Sequence, residues 1–163
     1  MIIFIVTFLS FILEYVMNCF FHGSILTGLI VFSSMILLEP YFRKNKNMYF
    51  IYCFFIGLFY DIVYAGTYFM NAGFFLMIGV FVTYINSVTP NNFVVSILEL
   101  IILIVFYRVL SFLFLVINGV VDLNIFLLFK SIYSSFLLNL IYSSILYFVL
   151  YLISIKFNVK RIN

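Results

Sequence analysis

Six apolar segments fill almost the whole of this chain, each near the twenty residues that carry a helix across a hydrocarbon core about 30 Å thick. Breaks in the pattern place them at Ile2 to Phe20, Ser24 to Leu38, Met48 to Tyr64, Thr67 to Ile85, Phe93 to Ile117 and Leu127 to Ile155. The second is short and extends toward Phe42 through Pro40; the last is long. Charged residues are 8% of the chain and hydrophobic ones 67%, with a mean hydropathy of +1.33, whereas a soluble domain carries about a quarter charged residues. The reading is an all-α integral membrane protein, five or six transmembrane helices in one bundle. With no linker-like stretch, residues 1–163 form a single polytopic membrane domain. The first run follows Met1 without a basic leader or a small-residue cleavage site, so it reads as a retained span rather than a signal peptide.

Orientation follows from the placement of lysine and arginine in short loops. Arg43, Lys44 and Lys46 in one loop and Lys156, Lys160 and Arg161 in the tail make up six of the eight basic residues. With six spans, both groups lie on the same side as the amino terminus. That side is expected to be the cytoplasm of a bacterial cell, with the spans in its inner (plasma) membrane and both termini cytoplasmic. The outer connections, at His22-Gly23, at Ala65-Gly66 and from Asn118 to Phe126, carry only Lys130 at their edge. The basic residues form no nucleic-acid patch. Cys19 and Cys53 fall at opposite depths in this layout, too far apart for a disulfide, which needs Cα atoms within about 7 Å. They read as small core residues, and no Cys/His cluster of metal-ligand spacing is present. Most tyrosines, placed near span ends, read as interfacial anchors, and the single histidine, His22, as a solvated loop residue.

Against this background an intramembrane carboxylate stands out. An ionised side chain at mid-bilayer costs at least about 2.5 kcal/mol, so such groups face a protein interior and have a partner. Asp61 lies in the apolar stretch from Cys53 to Phe81. At 1.5 Å per residue it sits roughly 20 Å above the cytoplasmic end of its span, and Arg108 lies roughly 22 Å above the start of the fifth. The matching depths make Asp61 and Arg108 a candidate intramembrane ion pair. Glu14, near mid-depth in the first span, is a further candidate partner, and Glu99 lies closer to the cytoplasmic face. Cys53, Gly57 and Asp61 recur at intervals of four, which puts small and polar atoms on one side of a helix and permits close backbone approach. Ser131, Ser135, Asn139 and Ser143 form a similar seam on the last span.

Catalytic readings weaken on inspection. Tyr60-Asp61 within a span is similar to half of an intramembrane aspartyl protease, in which two carboxylates share a proton and activate water. The remaining aspartate, Asp122, follows Asn118-Gly119-Val120-Val121 in an outer loop rather than the Gly-x-Gly-Asp of such enzymes. There is no H-E-x-x-H, G-x-S-x-G or phosphate-binding glycine loop. The expectation is a protein that is not an enzyme, with no catalytic residue, metal or cofactor.

The stretch Gly57-Leu58-Phe59-Tyr60-Asp61-Ile62-Val63-Tyr64-Ala65-Gly66, then Asn71-Ala72-Gly73 and the apolar run to Ile85, resembles the signature region of the rod-shape-determining MreD family. That family's pattern is G-L-x-x-D, a short glycine-containing turn and a Gly/Ala-containing span. Gly57, Leu58 and Asp61 match it residue by residue, and Asn139 is similar to an asparagine that many members carry in the last span. A departure is Phe69-Met70-Asn71, where members more often have a Leu-Gly-Leu/Met-type sequence before the Asn or Ser. The resemblance implies a non-enzymatic scaffold of the cell-wall elongation machinery. Its partners would be an MreC-like single-span protein and, through it, MreB and the peptidoglycan synthases. The family's fold is similar to that of the substrate-binding membrane subunits of energy-coupling-factor vitamin transporters, which supplies the alternative function. Gly57, Asp61, Arg108, Ser135 and Asn139 are then the residues expected to pack the bundle or to receive a partner's helix. The basic loop from Arg43 to Asn47 is expected to touch anionic membrane lipid or a cytoplasmic partner.

Overall fold

A computed structural model of the chain describes residues 2–20, 28–42, 44–65, 69–89 and 92–156, and these are mostly helical, with no strand among them. Helix α1 is Ile2–Phe20, α2 is Ile30–Leu38, α3 is Lys46–Tyr60, α4 is Met70–Val88, α5 is Phe93–Ile117 and α6 is Ile125–Lys156. A 3-10 turn, Glu39–Phe42, prolongs α2 through Pro40, and a π turn, Asp61–Ala65, prolongs α3. Among the described residues five helices are long and apolar enough to cross a membrane, and Ile30–Phe42 is a shorter apolar one. The chain is an all-α membrane bundle. The first and fifth spans run between the bounds expected from sequence, the third, fourth and sixth differ by one to four residues at their ends, and the helix of the second begins at Ile30 rather than at Ser24, which lies outside the described residues. His22 and Gly23, Arg43, Gly66 and Tyr68, and Lys160 and Arg161 of the tail lie outside the described residues.

The second element departs most from a simple crossing. Nine residues rise only about 14 Å, less than half of a hydrocarbon core. Every residue of α2 is buried. A helix apolar on all sides belongs in an interior, and α2 packs against α1, α4, α5 and α6. Ser33 and Ser34 meet their hydroxyl requirement inside the helix, donating to the carbonyls of Leu29 and Val31 at 3.0 and 2.7 Å.

The surrounding helices turn their polar stripes inward, since lipid solvates an apolar surface and no water need be faced. From α1 only Val6, Ser10 and Glu14 are buried, one per turn. Ser10 Oγ shares a 2.7 Å hydrogen bond with Tyr142 on α6, and Thr7 shares one of the same length with Tyr52 on α3. From α6 the buried positions include Ser135, Asn139, Ser143, Leu146 and Leu150, so the polar seam seen in the sequence faces inward. Tyr49, at a span start and so read as an interfacial anchor, proves to be a core residue that donates to the carbonyl of Met35 at 3.2 Å, and Tyr107 within the fifth span is buried as well. Their hydroxyls find acceptors on neighbouring helices, which makes burial tolerable. Cys19 is exposed and Cys53 buried, both as free thiols.

Candidate functional site

The side of α3 that carries Cys53, Gly57 and Asp61 is the face against α4. A Cβ on Gly57 would lie 2.5 Å from both the Cα of Ala72 and the carbonyl oxygen of Asn71. Further along, a Cβ on Gly79 of α4 would lie 2.7 Å from the sulfur of Cys53. Each helix thus supplies a glycine where the other presses closest, the small-residue contact by which helices associate in lipid.

This approach delivers the start of α4 to Asp61. The first turn of a helix leaves backbone N–H groups without intrahelical acceptors, and at membrane depth no water replaces them. Asn71 N–H donates to Asp61 Oδ1 at 3.1 Å, and Ala72 N–H donates to Oδ2 at 3.1 Å. The Asn71 side-chain amide adds a third bond to Oδ1 at 2.9 Å. Asp61 is therefore the cap of a helix other than its own, with its negative charge at the positive end of the α4 dipole. The network continues outward: Tyr107 of α5 donates to Asn71 Oδ1 at 2.7 Å. One carboxylate ties three helices together.

The cap carries a local cost. Phe69, immediately before α4, has φ 62°, a left-handed conformation disfavoured for a residue with a Cβ by about 1–2 kcal/mol. Its side chain is exposed, so little packing is lost with it. Phe69→Gly is expected to raise the thermal midpoint of the purified protein in mild detergent, by an amount equivalent to about 1 kcal/mol. A midpoint that falls would show that the ring's contacts outweigh the backbone strain.

The amino end of α2 is held by the same device. Glu14 of α1 accepts the Val31 N–H on Oε2 at 2.8 Å and the Tyr60 hydroxyl of α3 on Oε1 at 2.7 Å. Asn139 of α6 accepts the Leu29 N–H at 2.9 Å and the Ser33 hydroxyl at 3.3 Å on Oδ1, while its amide donates to the Ser135 carbonyl. Glu14 and Asn139 are both fully buried. Arg108, half-buried on α5, donates from Nε to Ser135 Oγ at 2.7 Å.

The structure thus brings Gly57 and Asp61 together on the α3–α4 contact, and Ser135, Asn139 and Arg108 on the α2–α5–α6 contact. The bonds described above for Asp61 come from α4, and the one described for Arg108 goes to α6. Tyr60, Asn71 and Tyr107 join the polar core without having been singled out in the sequence as members of a site. The spacing of Asn71 in the pattern beginning at Gly57 was the available signal for one of them. No family model, no curated protein and no solved structure matches this chain.

Proposed function

We propose that this chain is a non-enzymatic membrane scaffold of the bacterial cell-shape machinery, similar to the MreD family. On this reading it sits in the inner membrane with both termini cytoplasmic, binds an MreC-like single-span protein and, through it, serves MreB and the peptidoglycan synthases. The observation that carries the proposal is the use of Asp61. Both of its oxygens accept backbone amides of α4, the work of a structural tie rather than of a general acid or base. The residues carrying the resemblance, Gly57 and Asp61 with Asn71 and Ala72, are also those that meet in space.

A vitamin-transporter subunit is the competing reading, and the short helix α2, with its amino end inside the bundle, is the feature that favours it. Helix amino ends bind anionic ligands. Here the amides of Leu29 and Val31 are already taken by Asn139 and Glu14, which weighs toward the scaffold. The deciding experiment is depletion of the protein in a rod-shaped host, together with purification in mild detergent. Rounding of the cells and co-purification of a single-span, coiled-coil-containing protein are expected. Normal shape with a vitamin requirement, and co-purification of ATPase subunits, would overturn the proposal.

A further inference from the structure

The ties that hold α3 to α4 differ in kind from those that hold this pair to the other helices. Within the pair, Asp61 accepts two backbone amides of α4, and Gly57 lets backbone press on backbone. Among the described residues, the hydrogen bonds from the pair to other helices run through tyrosine hydroxyls. Tyr49 donates to the Met35 carbonyl of α2 at 3.2 Å, and Tyr52 shares a 2.7 Å bond with Thr7 of α1. Tyr60 donates to Glu14 of α1, and Tyr64, in the π turn, to the Phe11 carbonyl, both at 2.7 Å. On the other flank Tyr107 of α5 donates to Asn71 of α4 at 2.7 Å. Aromatic rings also meet across this boundary, Phe32 with Phe75 at 5.5 Å and Phe81 with Phe106 at 5.4 Å between centroids. The remaining helices are tied to one another by Glu14 to Val31, Asn139 to Leu29 and Arg108 to Ser135.

In lipid, parting two apolar surfaces costs little, because hydrocarbon tails replace the lost contacts; polar ties and close backbone packing decide which helices stay together. Separating α3 from α4 would strip the acceptor from two amides at a helix start, which have no intrahelical alternative. Breaking a tyrosine tie leaves the backbone of both helices paired and frees a single hydroxyl. The boundary around the pair is therefore the plane along which the bundle parts most readily. Gly57 meets Ala72 and Cys53 meets Gly79, so α3 and α4 are antiparallel. The chain enters α3 after Phe42 and leaves α4 toward Phe93 at one and the same end of the pair. That end is tethered, and Tyr60 and Tyr64 stand at the far one. We propose that α3 and α4 move as one body, hinged at the tethered end and parting from α1, α2 and α5 at the Asp61 end, with the tyrosine hydroxyls as its latch. This conformational device goes beyond the scaffold reading and does not depend on which partner the chain serves.

Labelling of a buried thiol tracks the population of the state that exposes it, when closing is fast relative to reaction. Ile56 is 5% exposed and lies at intervals of four between Tyr52 and Tyr60, on the latch face. Cys53 is buried inside the pair, against Gly79. The test is the labelling rate of the full-length protein in mild detergent with a small apolar maleimide. Ile56→Cys, with Cys19→Ser and Cys53→Ala, reports the latch face, and the native Cys53 with Cys19→Ser reports the interior of the pair. Tyr60→Phe together with Tyr64→Phe is expected to speed labelling at position 56 about tenfold, roughly threefold for each hydroxyl, and to leave Cys53 unchanged. Tyr142→Phe, which removes the bond between α6 and Ser10 of α1, is expected to alter neither rate. An unchanged rate at position 56, a rise of equal size at Cys53, or the same rise in Tyr142→Phe overturns the proposal. Should Ile56→Cys not accumulate, Met35→Cys, fully buried on the α2 side of the same core, replaces it with the same expected and overturning results.

Discussion

Gly57→Leu is expected to abolish accumulation of the folded protein, and Gly57→Ala to lower its thermal midpoint sharply. Even the single carbon of alanine would sit 2.5 Å from the Cα of Ala72, and what it meets is backbone, which has no rotamer with which to yield. Overpacking in a core ordinarily costs about 1–3 kcal/mol. Here the displaced element is the start of α4, so Asp61 would lose its three bonds from Asn71 and Ala72 as well. Size-exclusion profiles of fluorescent fusions in detergent measure the first effect and thermal melts the second. Gly73 provides the control. A Cβ there meets nothing within 4 Å, so Gly73→Ala is expected to be neutral or stabilising by up to about 1 kcal/mol through helix propensity. Equal losses at the two glycines would refute the close-contact account.

Asp61→Ala is expected to cost about 3 kcal/mol or more. It strips the acceptor from two backbone amides and one side-chain amide at once, and each buried donor left unpaired carries a penalty of about 1–3 kcal/mol. Against a total stability of about 5–15 kcal/mol, that is enough to reduce the folded population. Asp61→Asn keeps one acceptor oxygen and is expected to lie between wild type and alanine. The three-helix network also predicts non-additivity: Asn71→Ala combined with Asp61→Ala should be milder than the sum of the two, because both remove the same 2.9 Å bond. Strict additivity in a double-mutant cycle would mean that Asp61 acts through some other contact.

Parts of this arrangement were legible from residue order. The interval of four that joins Cys53, Gly57 and Asp61 marks one side of a helix, and that side is the one packed on α4. The seam of Ser135, Asn139 and Ser143 likewise turned inward. The short second segment was visible as an anomaly, and its extension through Pro40 is present as a 3-10 turn. Tyr49 looks like an interfacial anchor because a tyrosine near a span end reads the same in sequence whether its hydroxyl meets a headgroup or a carbonyl of a neighbouring helix.

The sequence by itself determined that the chain is helical, apolar on its outside and polar within, because lipid leaves backbone groups no partner other than the chain's own. It also marked Asp61 as a charge in need of a reason. Only the tertiary structure decided what the reason is. Helix ends carry identical unsatisfied amides in every sequence, so nothing local says which acceptor reaches which end. Asp61 meets Asn71 ten residues on, but Leu29 is met by Asn139, 110 residues away. Those pairings exist only once the bundle has set α3 against α4 at Gly57 and enclosed α2 between α1 and α6.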